Sequence, residues 1–184
     1  MNDPSKHLAL LVIDMQDSLL KIISDKDSLI RRCQFSIKAA SMLDCHIAYT
    51  EQHPEKLGQT NSCLAALASE TAPRYSKTGF SALSAPNIKE WIEEKEIDHL
   101  LLLGIETPIC IYQTAVDALS EGLGVTLLED CISQRRETDR TAVLQQLIGM
   151  GAHVLPSETI FYSLISTAEH PAFGAFNKLV KYSN

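Results

Sequence analysis

The chain has 184 residues, 45% of them hydrophobic, and a formal charge of −7 at pH 7. That length and apolar content fit one compact domain with its own core, and the acidic balance, with no basic stripe, argues against a nucleic-acid partner. No run of about 18 apolar residues is present to span a membrane, and the polar start "MNDPSKH" carries no signal-like apolar segment, so a cytoplasmic protein is expected.

In chain order, "LALLVI" (8–13), "HIAYT" (46–50), "HLLLLGI" (99–105), "GVTLLE" (124–129) and "AHVLP" (152–156) read as strands. Each is nearly continuous in apolar character, which predicts strands covered on both faces of a parallel sheet. Helical patterns lie between them at roughly 25–43, 60–68, 86–96, 108–121 and 137–150, and a last helical region covers about 157–181. Trp91, in "IKEWIEEKE", reads as a residue packing its helix on the sheet. Strands alternating with helices predict an α/β protein: a three-layer α/β/α sandwich around a mostly parallel, doubly wound sheet of five to six strands, forming a single domain over 1–184.

In such folds ligands bind outside the carboxyl ends of the strands. That rule sorts the polar residues by edge. Asp14 ends the first strand, "TEQHP" the second, "GIETPIC" the third and "EDCISQRR" the fourth. His7, His46, His99 and His153 sit at or just before strand starts, on the opposite edge. Only His53 is placed for chemistry, since His170 lies in the C-terminal tail.

Five cysteines, Cys33, Cys45, Cys63, Cys110 and Cys131, with no Cys-x-x-Cys pair, disfavour both a disulfide scaffold and a zinc ribbon. Most should be buried and inert. Cys110 differs. In "GIETPIC", Thr107 reads as a helix N-cap and Pro108 as the first helical residue, which places Cys110 in the first turn. There the helix dipole favours a thiolate, so Cys110 is the thiol expected to react first. Its amide is either free for a developing oxyanion or bonded by the Thr107 hydroxyl. Asp14 reads equally as a turn residue and as a general base for a thiol. Lys77, in "RYSKTGFSAL", reads by itself as a solvated surface charge.

Together, "LLVIDMQ", "SKTGFSAL" and "LLLGIETPICIYQTAVDAL" resemble the isochorismatase-like cysteine hydrolases, the superfamily of nicotinamidases and N-carbamoylsarcosine amidohydrolase. The resemblance covers nearly the whole chain, with three motifs in the family's order. "YTEQHPEKLG" and "HPAFGAFNKLV" further resemble the isochorismatase-domain-containing subgroup. The resemblance implies a catalytic triad of Asp14, Lys77 and Cys110. It also implies a cis peptide between Ile105 and Glu106, which turns the Glu106 amide toward an oxyanion beside the Cys110 amide. The implied reaction is attack of Cys110 on an amide-like carbonyl and release of an amine, followed by hydrolysis of a thioester.

Nicotinamidases hold a metal through an Asp-x-His pair and a further His. Here only Glu51 and His53 approach that pattern, too few ligands for a zinc site, so neither a metal nor another cofactor is expected. Gln16, Gln52, His53, Phe80, Thr107 and Tyr112 are candidate substrate contacts. Arg135 and Arg136 are placed to meet a substrate carboxylate, or equally to pair with Glu137 or Asp139. The expected partner is a small-molecule substrate, with no nucleic acid and no membrane. The family resemblance and the apolar segment "IFYSLISTAEHPAFGAFNKLV" also point to a homo-oligomer, while the same segment can equally serve to cover the sheet. Two alternatives stand beside an amidohydrolase: an isochorismatase-type hydrolase acting on another bond, and a non-catalytic, thiol-reactive or oligomeric protein of the same fold.

Overall fold

Six strands form one parallel sheet in the computed structural model, which describes residues 4–69 and 71–182; the first three residues of "MNDPSKH" lie outside these. The strands are β1 (Leu8–Ile13), β2 (His46–Gln52), β3 (Arg74–Lys77), β4 (His99–Ile105), β5 (Gly124–Ser133) and β6 (His153–Leu155). Their order across the sheet is β3-β2-β1-β4-β5-β6, with every pairing parallel. The helices are α1 (Asp17–Leu20), α2 (Lys26–Met42), α3 (Pro54–Leu57), α4 (Ser62–Ala65), α5 (Ile88–Glu94), α6 (Tyr112–Ser120), α7 (Arg140–Gly149), α8 (Ser157–Ile165) and α9 (Phe173–Tyr182).

Side-chain alternation explains why the strands are apolar throughout. Ala9, Leu11 and Ile13 of β1, with Leu100 and Leu102 of β4, face a cluster containing Trp91 of α5, Ala115 and Ala118 of α6, and Leu144 and Leu147 of α7. Leu10 and Val12, with Leu101 and Leu103, face the other layer, where α2, α8 and α9 supply Cys33, Ile37, Phe161 and Phe176. The apolar tail thus covers the sheet, and Phe35, Phe161 and Phe176 pack ring on ring. No helix among the described residues is long and apolar enough to cross a membrane.

Three elements differ from the sequence reading. Strand β3 has only four residues, "RYSK", and pairs on one side only, so its exposed polar residues hide it from an apolar-run criterion. Strand β5 runs to Ser133 and passes through Glu129 and Asp130, because its pairing with β4 shifts from Leu102–Leu127 to Gly104–Ile132 across a bulge. The last helical region is two helices, separated by a stretch in which Ser166 has φ 64° and Pro171 interrupts the pattern.

The chain builds outward from β1 to β3 and then returns to the other side of β1 with β4. Beside β1, at its junction with β4, the strand order reverses, and in open α/β sheets that crevice is where ligands bind.

Candidate active site

The site begins where β1 ends. Asp14 is wholly buried and adopts φ 54°, a left-handed conformation that Asp tolerates better than most residues. Its amide donates to the Thr50 carbonyl at 3.1 Å, and the Thr50 hydroxyl donates to Oδ1 at 3.0 Å. One residue of β2 therefore fixes both the backbone and one carboxylate oxygen. Gly104 of β4 lies against the same turn. A Cβ there would stand 2.0 Å from the Ile13 carbonyl oxygen, so only glycine lets β4 approach this closely.

Lys77 closes β3 and turns inward, with 2% of its surface exposed. Its Nζ lies 2.7 Å from Asp14 Oδ2 in a fully buried ion pair. It also donates to Gln52 Oε1 at 2.7 Å and to the Phe80 carbonyl at 2.9 Å, and lies 3.7 Å from Cys110 Sγ. Oδ2 carries the ion pair but no aligned hydrogen bond, unlike Oδ1.

Cys110 arrives from β4. The Ile105–Glu106 peptide is cis, and a π-helical turn, Thr107–Ile111, leads into α6. The Ile111 amide reaches back to the Glu106 carbonyl at 3.2 Å, the wide spacing of a π-turn, a feature frequent at functional sites. Glu106, not Thr107, holds the N-cap position. The Thr107 hydroxyl donates instead to the Ser133 carbonyl at 3.2 Å, tying the turn to β5. Thr114 donates to the Cys110 carbonyl at 2.6 Å and accepts from the Ala82 amide at 2.8 Å, which joins the cysteine turn to the loop after Lys77.

Electrostatics correct one expectation. The thiol of Cys110 is not held in an easily ionised state; its pKa is pushed up to about 12, first by burial and then by the Asp14 carboxylate, with Lys77 opposing. The advantage of the helix terminus is outweighed because the sulfur is largely buried and a thiolate there loses most of its solvation. Burial also raises the Asp14 pKa, against the pull of Lys77. At neutral pH Cys110 therefore rests as a thiol beside Asp14. The thiol open to solvent is Cys63 on α4, so plain accessibility favours Cys63 over Cys110.

Above Cys110 lies a cleft of about 120 Å³, walled by Leu19, Ile22, Phe80, Ile105 and Ile109 and reached by Asp14, Gln52, Glu106 and Cys110. Of the candidate contacts, Gln52 and Phe80 line it and four do not. Gln16 is buried as a clamp, its amide group bonding the Gln52 and Gly58 backbones. His53 points to Glu55 at 3.0 Å, Thr107 serves β5, and Tyr112 packs on the core. Glu51 is taken by the amide and hydroxyl of Thr60. Arg136 pairs with Asp139, whereas Arg135 pairs with Glu106 at 3.1 Å. The Glu106 side chain and the aliphatic wall of Leu19 and Ile22 were not anticipated. Leu19, on α1, and Ile22, just after it, lie three and six residues beyond "LLVIDMQ", outside the motif itself, and the fold brings them over Cys110.

A buried acid, amine and thiol thus meet at the switch point of a doubly wound parallel α/β sheet. Residues 8–159 match the isochorismatase domain, and the chain belongs to the isochorismatase family. It is 34% identical over 172 residues to isochorismatase domain-containing protein 2A of Mus musculus, covering 94% of this chain and 82% of that one. The structure superposes with a TM-score of 0.90 on a Caenorhabditis elegans protein described as MAR1 ribonuclease, at 32% identity, covering 100% of this chain and 93% of the other. It also superposes with a TM-score of 0.84 on the YcaC gene product of Escherichia coli, described as an octameric hydrolase of unknown specificity. That match has 18% identity and covers 96% of this chain and 93% of the other.

Proposed function

We propose that this protein, as one domain over 1–184, is a cysteine hydrolase that cleaves the C–N bond of a small amide-like substrate. The observation that carries the reading is the buried contact of Lys77 Nζ with both Asp14 Oδ2, at 2.7 Å, and Cys110 Sγ, at 3.7 Å, under a small cleft. The raised thiol pKa makes a base necessary, and Oδ2, free of an aligned hydrogen bond, is the base within reach.

In the proposed reaction Asp14 takes the thiol proton as Cys110 sulfur bonds to the carbonyl carbon. The amides of Glu106 and Cys110 receive the oxyanion. Asp14 returns the proton to the nitrogen as the C–N bond breaks, leaving a thioester and a free amine. Water, deprotonated by Asp14, then cleaves the thioester to a carboxylic acid and restores the thiol. Lys77 keeps Asp14 ionised and offsets the negative charge passed between the two residues. No metal or organic cofactor enters these steps.

Phosphodiester cleavage, the activity in the description of the Caenorhabditis elegans protein, is not the reading adopted. The chain carries −7 charges, and the cations beside the cleft, Lys77 and Arg135, are both paired with carboxylates. Among the described residues that line the cleft, a polyanion finds no unpaired cation. Self-association is part of the proposal. It is supported by the octameric Escherichia coli protein and by Ile148, Met150 and Leu155, exposed on and beside the edge strand β6. Five free cysteines fit the reducing cytoplasm.

The test is ammonia release from a panel of primary amides by the wild type and Cys110→Ala, with RNA as a parallel substrate. Release by the wild type that disappears in the variant is expected, with RNA untouched by both. Equal release by both proteins, or RNA cleavage that depends on Cys110, would overturn the reading.

A further inference from the structure

We propose that the cleft selects small, uncharged amides with a short aliphatic acyl group, a substrate class that rests on the amide-cleaving reading above. Five side chains wall the space around the thiol: Leu19, Ile22, Phe80, Ile105 and Ile109. Ile22 and Phe80 are each 52% exposed, so the apolar surface continues from the wall to the mouth. Half-exposed large apolar residues flanking a cleft mark surface kept for a ligand. At about 120 Å³ the space is well below the roughly 300–1,000 Å³ of pockets for drug-sized ligands.

Apart from the reacting groups Asp14 and Cys110, the polar side chains at the cleft are already engaged in the protein. Gln52 accepts from Lys77 and donates to the Thr78 carbonyl. Glu106 Oε2 accepts from both the backbone amide and Nε of Arg135. Lys77 is spent on Asp14, Gln52 and the Phe80 carbonyl. A substrate carboxylate would lose its water among aliphatic side chains, beside the Glu106 carboxylate, with no unpaired cation among the described residues of the cleft. A substrate ammonium would lose its water among the same aliphatic side chains, beside a Glu106 carboxylate already paired with Arg135. An aliphatic acyl chain meets neither cost and gains from burial.

The experiment compares kcat/KM for acetamide, propionamide, butyramide and isovaleramide with that for succinamate and β-alaninamide. Values are expected to rise about fourfold per buried methylene, from about 0.8 kcal/mol each, until the cleft is full. Succinamate should fall at least about 100-fold below butyramide. Ile22→Lys, which sets a cation at the mouth, should raise the succinamate-to-butyramide ratio. A charged amide turned over as well as butyramide would overturn the proposal and leave the amidase reading standing. Aldehydes separate the two claims when no amide is cleaved. Cys110 sulfur adds to an aldehyde carbon and the thiol proton moves to its oxygen. Tighter adduct formation with butyraldehyde than with succinic semialdehyde then supports the class while the amidase reading fails. The reverse order overturns the class itself.

Discussion

Lys77→Met is expected to destabilise the protein by about 3–5 kcal/mol, the cost of breaking a buried ion pair by removing one partner. The side chains of Lys77 and Asp14 are 0% and 1% exposed, so water supplies no substitute for the ammonium. The deficit should depend on pH. Burial already lifts the Asp14 pKa above its unfolded value, with Lys77 pulling it down. A group raised in this way contributes stability that is complete below the unfolded pKa and is lost as pH rises through the folded one. Without Lys77 the folded pKa climbs further, and the deficit widens from about pH 4 toward neutrality. Urea unfolding across that range measures it. Asp14→Asn combined with Lys77→Met removes the stranded charge and should recover part of the loss. A deficit that is absent, or equal at all pH values, would mean that the two groups do not form a charged pair.

Asp14→Asn is expected to reduce kcat/KM by about 10²–10⁴-fold, the usual contribution of a general base. The same substitution should make the Cys110 thiolate easier to form. The Asp14 carboxylate is, after burial, the main cause of a pKa of about 12, and its removal leaves Lys77 unopposed beside the sulfur. Turnover therefore falls while alkylation of Cys110 by a neutral reagent at fixed alkaline pH becomes faster. A variant that had merely lost its fold would expose all five cysteines together. Turnover kept within about tenfold of wild type, or an unmoved Cys110 titration, would remove Asp14 from the role of base.

Much of the architecture was legible because parallel strands buried on both faces leave unbroken apolar runs. Those of β1, β2 and β4 give their limits almost to the residue. Strand β3 was not legible, since an edge strand of four mostly polar residues buries only its last side chain, Lys77. Read alone, Lys77 is a surface lysine. Its burial follows from the position of β3 beside β2, where Gln52 and the Phe80 carbonyl await the ammonium. The edge rule placed Asp14 and Cys110 on the active side because both directly follow central strands. The ionisation of Cys110 was misjudged because sequence shows the helix terminus but not the burial of the thiol beside the Asp14 carboxylate. The cleft walls were only partly foreseen. Phe80 lies within "SKTGFSAL", whereas Leu19 sits on the four-residue α1 and Ile22 just after it, a stretch too short to show a helical pattern of its own. Gln16, in contrast, occupies an active-edge position but is consumed in bonding β2 to the loop at Gly58.

The measurement closest to the central claim is the partitioning of a thioester on Cys110. Amides that share one acyl group but carry different amines are turned over in the presence of hydroxylamine, and the hydroxamate-to-acid ratio is determined for each. Rapid acid quench and peptide mass spectrometry locate the acyl group in the same samples. The account predicts one ratio for every leaving amine, with the acyl mass on Cys110 and absent from Cys110→Ala. A ratio that varies with the leaving amine, or an acyl group found on Cys63 and not on Cys110, would contradict it.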